Sequence, residues 1–172
     1  MKTSQSRRQF LKTSGALIVG FGATGLIAKF GVSQGINGNP GNQLDSWIAI
    51  AADGSVTAYT GKCELGTGLY TAQLQLVAEE LSVPMDRVTL IQCDTSMTPD
   101  QGTTSGAQSH PANFNHANLA LAAATAREAL VQLASTRLGV PADQLTIAGG
   151  VISAKSDPSK TVSYGDVIGG KR

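Results

Sequence analysis

Apolar and polar positions alternate over residues 47–51 and 55–61, on either side of Asp53-Gly54. That period of two about a two-residue turn predicts a β-hairpin. Past Gly66-Thr67-Gly68 the period lengthens: Tyr70, Leu74, Val77 and Leu81 recur at helical spacing. They predict a helix over 69–82, ended before Pro84. A short apolar run at 88–93 reads as a buried strand. A loop follows, punctuated by Pro99, Gly102, Gly106 and Pro111. Helical spacing then returns over 115–138, with Leu119, Ala123, Ala126, Leu130 and Leu133 on one face, and Gly139 with Pro141 stops it. A second hairpin is expected from 145–147 and 151–154 around Gly149-Gly150, and 162–168 reads as the start of another helix. The fold class is α/β (α+β): β-hairpin, helix, strand, long loop, helix, β-hairpin.

One pattern occurs twice. Leu81-Ser82-Val83-Pro84-Met85-Asp86-Arg87-Val88 is echoed by Leu138-Gly139-Val140-Pro141-Ala142-Asp143-Gln144-Leu145. Each reads as a helix end, a proline-turned connection and a strand start, a recurrence of local chemistry.

Charge divides the chain. Residues 1–30 hold five Lys/Arg and no acid, whereas the rest holds eight Lys/Arg against twelve Asp/Glu. Arg7-Arg8 stands ahead of a glycine-diluted apolar run over 16–28, the pattern of a twin-arginine export signal. The expectation is a periplasmic protein with 1–30 as signal or N-terminal membrane anchor, 31–44 as a Gly/Asn-rich linker and 45–172 as the folded part. Gly20-Phe21-Gly22-Ala23-Thr24-Gly25 matches a dinucleotide fingerprint in letters only, since glycines and Pro40 follow where a helix is required. The mildly acidic body offers no basic footprint for nucleic acid.

The chemistry concentrates in 61–110. Gly66-Thr67-Gly68 opens onto a helix N-terminus, which presents free N–H groups and positive dipole to an anion. A second small-residue loop, Gly102-Thr103-Thr104-Ser105-Gly106-Ala107-Gln108-Ser109, offers hydroxyls and an amide. Two donor-rich loops suit a phosphorylated polar cofactor. Cys63 and Cys93 read as buried small apolar side chains, with pairing in an oxidising compartment as the alternative. His110 and His116 have neither metal-site nor triad spacing. Glu79 and Glu80 read as solvated surface, and Gln73 and Gln75 as facing solvent or a partner domain.

Gly61-Lys62-Cys63-Glu64-Leu65-Gly66-Thr67-Gly68, Ala78-Glu79-Glu80-Leu81, Val83-Pro84 and Asp94-Thr95 with Thr98-Pro99-Asp100-Gln101-Gly102 stand in an order that resembles a known family. It is the molybdopterin-binding subunit of the xanthine dehydrogenase/aldehyde oxidase family, in the branch of isoquinoline 1-oxidoreductase beta subunits. The resemblance covers about 45–172. It implies part of a molybdopterin-binding domain, with molybdopterin (as the cytosine dinucleotide) held by Gly66, Thr67, Gly68, Thr71, Thr104, Ser105 and Gln108. It implies oxidation of aldehydes or N-heterocycles, with electrons leaving through an iron–sulfur small subunit, and a cytochrome c acceptor as a further partner. The family's catalytic glutamate belongs to a C-terminal segment beyond these residues, so no catalytic residue and no metal ligand is assigned. The chain is therefore expected to be the first part of a longer subunit, inactive without the rest. The alternatives are a non-catalytic truncated remnant and a periplasmic small-molecule binding module. Where the family carries glutamine between the two glycines this chain has Thr67, which keeps a hydroxyl donor but lacks an amide's reach.

Overall fold

The computed structural model describes residues 16–22, 25–29, 45–99, 101, 104 and 119–169, with side chains from Trp47 onward. The hairpin about Asp53-Gly54 forms, through a longer turn than the two-residue one expected: β3 (Asp45–Ala51) and β4 (Val56–Thr60) pair antiparallel, Ile50 opposite Val56, with Gly54 N–H donating to the Ala51 carbonyl and Ala51 N–H to that of Ser55. Gly54 takes φ 82°, and the Asp53 carboxylate accepts from Ser55 N–H (2.9 Å) and its hydroxyl (2.6 Å). Helix α1 (Leu69–Glu80) then carries the chain to β5 (Val88–Gln92), which lies parallel to β4 with Thr60 opposite Gln92. β4–α1–β5 is therefore a βαβ unit. β5 is an edge strand buried along one face, less enclosed than its apolar run implies.

Two further described strands precede β3. β1 (Ala16–Gly22) and β2 (Gly25–Lys29) form an antiparallel hairpin on the far side of β3, giving the sheet order β2-β1-β3-β4-β5. These residues are the apolar run of the expected leader. Interspersed glycines weaken a helix there, and Ile18 and Val19 favour extended backbone. The would-be dinucleotide glycines fall on this hairpin. Arg7, Arg8 and the 31–44 linker lie outside the described residues.

The second half is α2 (Leu119–Leu138), a three-stranded antiparallel sheet of β6 (Leu145–Ala148), β7 (Val151–Ala154) and β8 (Asp157–Ser163), and the short α3 (Tyr164–Gly169). The Gly149-Gly150 turn has positive φ at both residues, as a tight hairpin requires. β8 is an addition to the expected hairpin. Its Asp-Pro-Ser-Lys opening is polar and mostly exposed, so no alternation announces it. Asn115, where the sequence starts α2, is outside the described residues.

A single core joins these parts. Ile48, Ile50 and Val56 from the large sheet meet Val77 and Leu81 of α1, Leu130 of α2, Ile152 of β7 and Tyr164 of α3, all essentially inaccessible. Each such aliphatic contributes about 1.5–3 kcal/mol relative to exposure. α2 presents alanines at 122, 123, 126 and 134 to this core, so its backbone lies close to its neighbours.

The face of α1 departs from the expected one. Leu69, Gln73, Val77 and Ala78 point inward, whereas Tyr70 is 42% exposed and Leu74 only half-buried. Gln73, expected to face solvent, is 6% exposed. The residues at 69, 73 and 77 form one row of the helix, and Thr60 at the end of β4 supplies the partner that lets an amide be buried there. Of the adjacent glutamates, Glu79 is exposed, while Glu80 pairs with Arg127 of α2 at 3.5 Å.

The repeated pattern is a repeated structure. Val83 N–H donates to the Ala78 carbonyl (2.9 Å) and Val140 N–H to that of Ser135 (3.2 Å), closing both helices with six-residue end loops. Ser82 (φ 50°) and Gly139 (φ 64°) take the left-handed position in each. Pro84 and Pro141 then open single 3₁₀ turns, closed by Arg87 N–H to the Pro84 carbonyl and Gln144 N–H to that of Pro141. The first copy is also tied to the second half of the chain. Gly150 N–H donates to the Ser82 carbonyl (2.9 Å), and the Tyr164 hydroxyl donates to that of Leu81 (2.7 Å). Burial pushes the Tyr164 phenol up to about 12.

Candidate functional site

The two loops singled out by the sequence begin at the carboxyl ends of parallel β4 and β5. That is the end of an α/β sheet where ligands bind, because the loops there leave the sheet together. The 61–68 loop runs from Thr60 to α1, and the second loop starts at Cys93.

A seam of specific contacts joins them. Cys93 N–H donates to the Thr60 carbonyl (2.9 Å), prolonging the β4–β5 pairing. Gly61 N–H donates to Gln101 Oε1 (3.0 Å), and Cys63 N–H to the Thr104 hydroxyl (2.9 Å). A Cβ on Gly61 would stand 2.4 Å from the Pro99 carbonyl oxygen, so only glycine fits there. The turn before Pro99 is held by Asp94, whose carboxylate accepts from Ser96 hydroxyl (2.6 Å) and N–H (2.8 Å). Cys63 and Cys93 are joined in a disulfide with Cα atoms 5.6 Å apart. They are thus not the two buried thiols the sequence favoured, because Cys63 is half-buried and Cys93 exposed on facing loops.

Under the seam lies a buried polar centre. The Thr60 side chain, fully inaccessible, donates to Gln101 Oε1 (3.0 Å) and accepts from Gln73 Nε2 (3.3 Å) and Lys62 N–H (3.2 Å). One donor and two acceptor positions exhaust a hydroxyl. The amides are not exhausted: Gln73 Oε1 and Gln101 Nε2 are buried and have no hydrogen-bond partner among the described residues.

At the start of α1 the expectation of free N–H groups is overturned. The Glu64 carboxylate accepts from Thr67 N–H (2.5 Å) and Gly68 N–H (3.0 Å) through Oε1 and from Tyr70 N–H (2.8 Å) through Oε2. The chain's own anion occupies the end of the dipole, where a negative charge is favourable. The Tyr70 N–H above all, then those of Thr67 and Gly68, hold this carboxyl below the usual glutamate range. Its contribution to the turn is present above the unfolded-state value of 4.5 and is lost as pH falls through the lowered folded value. Unfolding followed across that acid range should therefore be steeper for wild type than for Glu64→Gln. Coincident pH profiles of the two proteins would mean the cap does not operate.

The remaining expected residues fall as follows. Gly66, Thr67, Gly68 and Thr71 are exposed at the start of α1. Gly66 (φ 83°) and Gly68 (φ 78°) are left-handed, and among the described residues a Cβ on either would meet nothing within 4 Å, which leaves open space before the turn there. Thr104 lies across the seam, bonded to Cys63. Ser105, Gln108, His110 and His116 are outside the described residues. Among the described residues no group of three His, Cys, Asp or Glu could hold a metal ion, and no helix is long and apolar enough to cross a membrane. Sequence reasoning missed Glu64, although an acid beside a helix start is a signal for a cap. It also missed Thr60, Gln73 and Gln101, whose association spans 13 and 41 positions and has no local signature.

The chain is 37% identical over 169 residues to the B subunit of nicotinate dehydrogenase from Pseudomonas putida, covering 96% of this chain and 14% of that one. It is 35% identical over 130 residues to the beta subunit of isoquinoline 1-oxidoreductase from Brevundimonas diminuta, covering 71% of this chain and 16% of the relative. It therefore spans about a seventh of the length of these relatives. Quinoline 2-oxidoreductase from Pseudomonas putida 86 superposes with a TM-score of 0.56 at 25% identity, over 71% of this chain and 15% of that one. CO dehydrogenase from Oligotropha carboxidovorans shares the fold, with a TM-score of 0.54 at 23% identity, over 88% and 18%. Residues 2–171 match the molybdopterin cofactor-binding domain, and the chain belongs to that family.

Proposed function

We propose that this chain supplies part of the cofactor cradle of an exported molybdenum hydroxylase that oxidises an N-heterocycle or an aldehyde. The observation that carries the reading is the seam: two loops at the carboxyl ends of parallel strands, locked together over buried amides with unspent hydrogen-bonding capacity. Thr67 and Thr71 on one side and Thr104 on the other are the residues of this chain that would hold molybdopterin, as its cytosine dinucleotide. With the α1 N-terminus occupied by Glu64, side-chain hydroxyls take the role first expected of free helix N–H groups. The open space before Gly66 and Gly68 leaves room for a planar polar group. When bound, the cofactor supplies the redox centre that takes up the electrons of the oxidation. An iron–sulfur subunit passing them to a cytochrome c, and the remainder of this subunit carrying the proton acceptor, complete the assembly. Both substrate classes stand among the names of the relatives, nicotinate and isoquinoline on one side and aldehydes on the other.

The test is molybdenum content after expression, in a host that makes the cofactor, within the full subunit. Thr67→Gln should keep or raise it and Thr67→Trp should abolish it. Equal metal in all three proteins would place the turn away from the cofactor.

Export by the twin-arginine route to the periplasm is part of the same proposal. It is supported by Arg7-Arg8 and by the disulfide, since such bonds persist in oxidising compartments. Replacing both arginines by lysine should leave the protein in the cytoplasm on fractionation. Undiminished periplasmic protein would refute this route.

A further inference from the structure

We propose that the Cys63–Cys93 disulfide is a clasp across the mouth of the candidate cofactor site, open while the cofactor is inserted and closed afterwards to retain it. This rests on the functional reading above. The bond joins the two loops that reading assigns to the cofactor, with Thr67 four residues beyond Cys63 and Thr104 eleven beyond Cys93.

Three observations support it. Three side-chain bonds tie the two segments, from Thr60 and Gly61 to Gln101 and from Cys63 to Thr104, and each involves a part-buried group for which water competes when the loops part. The disulfide is the covalent tie in that seam. Next, Cys93 holds φ 55°, a left-handed conformation that a non-glycine residue adopts at a cost, so its loop has reason to relax once released. Lastly, Cys93 is exposed and open to thiol–disulfide exchange. Opening should remain local, because Val77, Leu81, Val88 and Leu90 anchor α1 and β5 in the core regardless of the clasp.

Closure turns two thiols into one disulfide and releases two protons. The two electrons and the two protons pass to a second disulfide, that of a thiol-oxidising exchange protein of the oxidising compartment, which leaves as a dithiol. In a reducing compartment the thiols stay apart and the loops can open for loading.

The experiment uses the purified, cofactor-loaded full subunit, with the state of the Cys63–Cys93 peptide read by mass mapping. Molybdenum release into buffer is timed before treatment with a dithiol reductant, after it, and again after re-oxidation. Release should be about ten-fold faster in the reduced protein and slow again once re-oxidised. A Cys63→Ser/Cys93→Ser double variant should release quickly and ignore the reductant, with unchanged far-UV circular dichroism showing an intact fold. Equal release in both redox states, with the peptide shown to open and close, overturns the clasp and leaves the cofactor reading standing. Absence of molybdenum from every preparation overturns the cofactor reading, and the clasp with it.

Discussion

Gly61→Ala is expected to lower unfolding stability by about 3 kcal/mol and to deplete the site of cofactor. The added Cβ would lie 2.4 Å from the Pro99 carbonyl oxygen and 3.4 Å from Gln101 N. Both neighbours are backbone, so no rotamer change relieves the clash and one loop must move. Moving it breaks the Gly61 N–H bond to Gln101 and shifts Cys63 away from Thr104. Denaturant unfolding measures the first effect and molybdenum content of the full subunit the second. Gly66→Ala is the contrast: its Cβ meets nothing, so only the left-handed backbone is penalised, by about 1 kcal/mol. Comparable losses for the two variants would mean that the seam is not the tight point.

Thr60→Val should cost about 3 kcal/mol although its shape is unchanged. Valine removes one hydroxyl that serves Gln101, Gln73 and Lys62 N–H, leaving buried polar groups without a partner. Thr60→Ser keeps the hydroxyl and loses one methyl group, a change of about 1 kcal/mol. The ordering wild type, then serine, then valine in chemical denaturation is the expected result. If valine were as stable as serine, the hydroxyl would not be the centre of the network.

Where the chemistry is local, the sequence was enough to locate an element. Asp53-Gly54 and Gly149-Gly150 make their turns from their own backbone preferences, and both hairpins are present. The helices end where a left-handed residue and a proline follow one another, so Ser82-Val83-Pro84 and Gly139-Val140-Pro141 mark their stops. The family was also legible, because its motifs lie in short consecutive runs. Thr67, Thr71 and Thr104 were named from the family resemblance; Thr67 lies on the 61–68 loop, Thr71 in the first turn of α1 and Thr104 on the second loop.

The sequence revealed the buried face of α1 only in part, placing Val77 and Leu81 correctly but not Tyr70 and Gln73, and the reason is physical. Tyr70 and Leu74 are as apolar as their neighbours, but a polar Gln73 goes inside because Thr60 waits there with a hydroxyl. Strands β1 and β2 follow the same logic: pairing with β3 gives the 16–29 segment hydrogen bonds that its own letters do not promise. What the sequence by itself determined was set within a few residues: turns, helix stops and the family's motifs, with the equally local Glu64 cap overlooked. Only the tertiary structure decided that Gln101 reaches Gly61 and that Cys63 meets Cys93. Those contacts bring together separate turns and loops whose approach depends on the parallel pairing of β4 with β5, and no local preference encodes that pairing.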